Sequence, residues 1–108
     1  MTRCTFFRGE NGRLISFEVS GHAGYAEAGE DIVCAGISSS VMLICNLLET
    51  SFQAKGRFQE KDDTVICKPE NPTDAHLLLI EGFYDHISSL AADYPQFIEV
   101  CIKSLGGI

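Results

Sequence analysis

The strongest constraint on the fold is a pair of alternating runs that meet at an Asn-Gly dipeptide. Residues 2–9 (TRCTFFRG) and 13–20 (RLISFEVS) both read as β-strand. Cys4 and Phe6 share one parity of the first, and Ile15, Phe17 and Val19 share one parity of the second, the pattern of half-buried strands. Between them lies Glu10-Asn11-Gly12, and Asn-Gly supplies the left-handed backbone that a tight hairpin needs.

The pattern then changes period. From Ile32 to about Phe52 the spacing is helical, with Ile37, Val41, Ile44 and Leu48 on one stripe and Cys34, Ser38 and Cys45 beside it. Asp31 stands at the N-cap position, where a carboxylate accepts from a backbone N–H of the first turn. A second strand pair, 55–60 and 64–68, flanks Lys61-Asp62-Asp63. Asn71 is then the expected cap of a second helix, with Pro72 first and Asp74 third. Leu77, Ile80, Phe83, Ile87, Leu90 and Tyr94 give that helix its stripe, and Pro95 ends it. Residues 97–103 (FIEVCIK) read as a last strand. The order ββαββαβ predicts an α+β, two-layer fold, one sheet of about five strands covered by two helices. With 108 residues and no internal repeat, the chain is expected to form a single domain over 1–108 with a core that needs no staples.

Charge and cysteine usage narrow the function. The net charge of −7 disfavours a phosphate-facing surface, so no direct nucleic acid binding is expected, and it suits a basic partner. The five cysteines are odd in number and form no CxxC pair, so neither a disulfide framework nor a structural zinc site is expected. No metal and no cofactor is expected. Four of them lie in apolar strand or helix patterns and read as small buried hydrophobes. The start of the chain shows no apolar core of a leader, so no signal peptide is expected, and no apolar run is expected to reach the roughly 18 residues of a membrane span. A cytoplasmic protein with no membrane contact is the expectation.

The chemistry concentrates in residues 21–38. Gly21 to Asp31 reads as a loop with glycines at 21, 24 and 29, His22 at a strand exit and Cys34 in the first turn of the helix. A thiol there faces unpaired backbone N–H groups, which favour a thiolate and could hold an oxyanion. His22 could act as its general base. Each residue also has a plainer reading, an inert thiol in a helix turn and a solvated loop histidine. Glu27, Glu30 and Asp31 oppose a thiolate by their charge. They either bind Lys or Arg side chains of a substrate or are simply solvated, and Asp31 is alternatively spent on the cap or on orienting His22. Gly24 and Gly29 either let the loop close over a peptide or satisfy turn geometry. Ser38 bonds either to the site or back to the carbonyl of Cys34. His76 and His86 read as helix-surface or edge residues.

These residues resemble a known family. Gly21, His22 and Ala23, a loop containing Gly29, then Asp31 to Ser38 (DIVCAGIS) are similar to the signature of the ribosomal-processing cysteine proteases, called Prp or YsxB-like, with Gly36 where alanine is commoner. The resemblance implies an endopeptidase that removes the N-terminal extension of large-subunit ribosomal protein twenty-seven. It implies a Cys34–His22 dyad, supporting roles for Asp31 and Ser38, and a flexible loop carrying Gly21, Gly24, Glu27, Gly29 and Glu30 toward the substrate. It also implies a basic ribosomal protein precursor as partner and a homodimer. The competing reading is a non-catalytic, acidic ribosome-associated or assembly factor in which Cys34 is structural. A redox sensor is less favoured, because no resolving cysteine neighbours Cys34 in sequence.

Overall fold

The computed structural model describes residues 1–21 and 28–105, with the backbone alone described for residues 28–31. In chain order the elements are β1 (Thr2–Arg8), β2 (Leu14–Ser20), α1 (Ala28–Asn46), a π-helical turn (Leu47–Ser51), β3 (Gly56–Lys61), β4 (Thr64–Pro69), α2 (Asp74–Asp93) and β5 (Ile98–Ser104). The strands form one sheet in the order β3-β4-β2-β1-β5, so the α+β expectation of five strands and two helices holds. β5 returns parallel to β1, and the other pairs are antiparallel.

Strand register explains the core. Phe58, Cys67, Phe17, Phe6 and Ile102 lie in one row across the sheet. Both helices pack on this face, α1 through Val33, Ile37, Val41 and Ile44, α2 through Ile80, Phe83 and Ile87. Phe6, Phe17, Phe83 and Tyr84 form an aromatic cluster with Phe17 and Phe83 centroids 4.7 Å apart. The Asn-Gly turn closes as expected, with Gly12 at φ +80°.

Four expectations need correction. Helix α1 already includes Ala28, so Asp31 lies inside it and is not its N-cap. Ala28 and Glu30 are good helix formers, which lets the helix start ahead of the acidic residue. In α2 the cap is Thr73 rather than Asn71, which takes a left-handed φ of +45° on leaving β4. Thr73 Oγ1 accepts from the His76 N–H at 3.2 Å and the Thr73 N–H donates to His76 Nδ1 at 3.0 Å, a capping box with histidine in the usual Glu or Gln place. His76 is therefore no surface residue; it is buried, and its Nε2 donates to the Phe52 carbonyl at 2.7 Å. Finally, the 20 residues Ile32–Ser51 are long and apolar enough to cross a membrane by length and composition alone. Serines 38–40 are too small and too weakly polar to interrupt that run as a charge would. Here the stripe from Val33 to Leu48 is buried against the sheet, while Ile32, Met42 and Leu43 stay exposed.

Candidate active site

The site is built where β2 ends, α1 passes and the β3–β4 turn folds over. Gly21 follows β2 at φ +77°, and a Cβ there would come within 2.7 Å of the Met1 carbonyl oxygen. Only glycine fits that conformation and that approach. Its N–H donates to the Asp63 carbonyl at 3.1 Å, and its own carbonyl accepts from Thr2 Oγ1 at 3.3 Å. The residue before His22 is thereby fixed between β1 and the β3–β4 turn.

Cys34 and Ser38 line one pocket of about 320 Å³ together with Gly21. Ile37, Val41 and Met42 of α1 supply an apolar wall, and Glu60, Asp62 and Asp63 from the β3–β4 hairpin supply carboxylates. Cys34 is half-buried, a thiol that is reachable without being solvated on all sides. Ser38 is exposed one turn further on. Among the described residues it makes no bond back to the Cys34 carbonyl; Ser40 makes that kind of bond, to Gly36 at 2.8 Å. His22, Gly24 and Glu27 lie outside the described residues, and Gly29, Glu30 and Asp31 occupy the first turn of α1.

The earlier helix start changes the electrostatic argument. Counted from Ala28, Cys34 stands in the second turn of α1. Its own N–H is within reach of an intrahelical carbonyl, and the dipole effect fades beyond the first turn. The N–H groups of residues 28–31 find no carbonyl within the described helix, and helical side chains such as that of Cys34 tilt toward the N-terminus. The carboxylates of Glu60, Asp62 and Asp63 give this side of the pocket a field that attracts a cation. The sequence reading treated Asp62 and Asp63 only as turn residues. Their approach to Cys34 depends on strand pairing between β2 and β4, which no local pattern reports.

Cys4 and Cys67 belong to the core and Cys45 packs partly buried against it, while Cys101 sits half-buried on the other sheet face. Cys4 and Cys67 are fully buried. Burial and the neighbouring Cys101 push the Cys4 thiol up to about 12. Cys45 and Cys67 pair across α1 and β4; the hydrogen bond between them lowers the Cys45 thiol and raises that of Cys67, which burial raises further. Among the described residues no cluster of three or more His, Cys, Asp or Glu could hold a metal ion.

A two-layer α+β fold with a pocketed thiol on its first helix is the frame of a class of cysteine proteases. The family described as cysteine protease Prp matches residues 1–99, and this chain belongs to it. It is 30% identical over 110 residues to the ribosomal processing cysteine protease Prp of Bacillus subtilis (strain 168), covering 93% of this chain and 96% of the relative. The SMU.848 protein of Streptococcus mutans has the same fold, with a TM-score of 0.80, 33% identity and 97% and 96% of the two chains covered. The essential ribosomal processing protease Prp of S. aureus, solved with a substrate peptide, matches with a TM-score of 0.86 at 19% identity over 95% of this chain and 100% of that one, a likeness of fold.

Proposed function

We propose that this cysteine protease removes the N-terminal extension of large-subunit ribosomal protein twenty-seven, with Cys34 as nucleophile and His22 as general base and acid. The observation that carries this reading is the shared pocket: the Cys34 thiol opens onto the cavity that Gly21, the residue before His22, also lines. In the proposed mechanism His22 takes the Cys34 proton and the sulfur attacks the scissile carbonyl carbon. The C–N bond then breaks as His22 protonates the leaving amine. Water, deprotonated by His22, releases the acyl group and restores the thiol. N–H groups in the first turn of α1 take the role of holding the transient oxyanion.

The remaining residues take roles around that step. Asp31 takes the role of orienting His22. Ser38 reaches the substrate from the pocket wall, Gly24 and Glu27 belong to the proposed closing loop, and Gly29 and Glu30 stand in the first turn of α1 that follows it. Glu60, Asp62 and Asp63 extend the acidic side of the pocket, which suits a basic ribosomal precursor. The enzyme works in the cytoplasm, where that precursor is made, and as a homodimer. Exposed Leu43 and Leu78 flank a groove of about 350 Å³ between α1 and α2, a surface suited to a second copy.

The test is incubation with a peptide spanning the junction between extension and mature protein, read by mass spectrometry. One cut is expected, lost in Cys34→Ala and in His22→Ala. A Cys34→Ala variant that still cuts at the wild-type rate would remove the nucleophile assignment.

A further inference from the structure

The sheet face turned away from the helices carries a charge opposite to that of the chain. By register, Arg3, Arg57, Lys61, Lys68 and Lys103 project from it, against Glu18 and Glu99. Five cations against two carboxylates leave a surplus of three positive charges, on a chain whose net charge is −7. Arg3 is engaged by Glu99 at 2.6 Å, whereas Arg57, Lys61, Lys68 and Lys103 form no ion pair among the described residues.

These cations are ordered rather than scattered. Arg57 on β3 faces Lys68 on β4. Phe17 faces Cys67, which sets Ser16 on β2 beside Lys68, and Phe7 on β1 faces both Ser16 and Lys103 on β5. The row across all five strands therefore reads Arg57, Lys68, Ser16, Phe7, Lys103, with cations at both ends and a partly exposed ring between them. Four interstrand steps of about 4.8 Å make it roughly 19 Å long. A shallow cavity of about 180 Å³ opens along it, bounded by Phe7, Ser16, Glu18, Arg57, Ile66 and Lys68.

We propose that this face binds a short segment of single-stranded nucleic acid, with phosphates on Arg57, Lys68 and Lys103 and a base stacked on Phe7. Net charge argued against such a ligand, but the field that matters is local. Screening falls off over about 8 Å at physiological ionic strength. Arg57 and Lys68 lie five positions along β3 and β4 from Asp62 and Asp63, roughly 16 Å at about 3.3 Å per residue, and Glu60 points to the opposite sheet face. An acidic peptide would use the cations and leave the ring idle. A base uses the ring, and aromatic platforms between cations are how sheets hold single strands. The face is separate from the Cys34 pocket, so the proposal stands apart from the proteolytic reading.

The test is fluorescence anisotropy with a labelled single-stranded RNA of mixed sequence, and the same sequence as DNA, at low salt. Binding to at least one is expected, with a log–log salt slope near −2 for about three phosphate contacts. Arg57→Glu and Lys68→Glu should each weaken it about tenfold, and Phe7→Leu about fivefold with the slope unchanged. Circular dichroism and peptide cleavage should be unchanged in the charge variants, which keeps folding and catalysis out of the result. No binding of either strand at low salt, affinity indifferent to the two charge reversals, or polyglutamate competing as well as the RNA would each overturn the proposal.

Discussion

The backbone N–H of Gly21 donates to the carbonyl oxygen of Asp63 at 3.1 Å, tying the end of β2 to the β3–β4 turn. This bond joins two segments 42 positions apart in sequence, and the Cys34 pocket lies beside the junction. Gly21→Ala should therefore act on both stability and activity. A methyl at φ +77° and 2.7 Å from the Met1 carbonyl has no room, and such substitutions cost about 1–3 kcal/mol. Denaturant unfolding should show the loss. Peptide cleavage should fall further than the folded fraction does, because the position of the neighbouring His22 shifts with it.

The acidic side of the pocket should govern substrate binding more than turnover. Neutralising Glu60 and Asp62 together (Glu60→Gln with Asp62→Asn) should raise KM for a basic peptide by about three- to tenfold with kcat nearly constant, as expected of exposed charges worth roughly 0.5 kcal/mol or more each. Asparagine tolerates the left-handed φ of +56° at position 62, so folding should survive. Steady-state kinetics at low and high salt check this, since added salt should erase the difference.

His76 should matter for stability and not for chemistry. It completes the cap of α2 and anchors the Phe52 carbonyl from a buried position. His76→Ala should cost about 1–3 kcal/mol through the lost cap and the buried groups left unpaired. Thermal unfolding reads that loss, and kcat/KM per folded molecule should stay at the wild-type value.

Cys4 supplies a pH signature. Its folded thiol is raised from an ordinary 9.0 to about 12, so the unfolded chain releases this proton first as pH rises. Stability from this group is full below about pH 9 and declines from there toward pH 12. Cys4→Ala, compared with wild type by urea unfolding at pH 7 and pH 10, should show a shallower alkaline decline.

How much of this was legible in the chain follows from the range of each interaction. The Asn-Gly hairpin and the stripes Ile37, Val41, Ile44, Leu48 and Leu77, Ile80, Phe83, Ile87 are local patterns, and they describe the strands, helices and buried faces found. Helix starts were misplaced because caps compete over a few residues: Thr73 outdoes Asn71 through a reciprocal bond to His76 that no propensity ranks. The pairing of Cys34 with Ser38 in one pocket followed from helical spacing. The approach of Glu60, Asp62 and Asp63 did not, because it arises from β2 pairing with β4 across more than 40 positions. Net charge has the same limit of range, since it averages an acidic pocket side with a basic sheet face.

The central claim is that Cys34 forms the covalent bond to substrate. The most direct measurement is intact-protein mass spectrometry of enzyme quenched in acid during turnover of the junction peptide, followed by peptide mapping. The account predicts a single acyl adduct on Cys34, absent in Cys34→Ala and absent when His22 is replaced by alanine. An adduct on any of Cys4, Cys45, Cys67 or Cys101 instead, or turnover by Cys34→Ala at the wild-type rate, would contradict it.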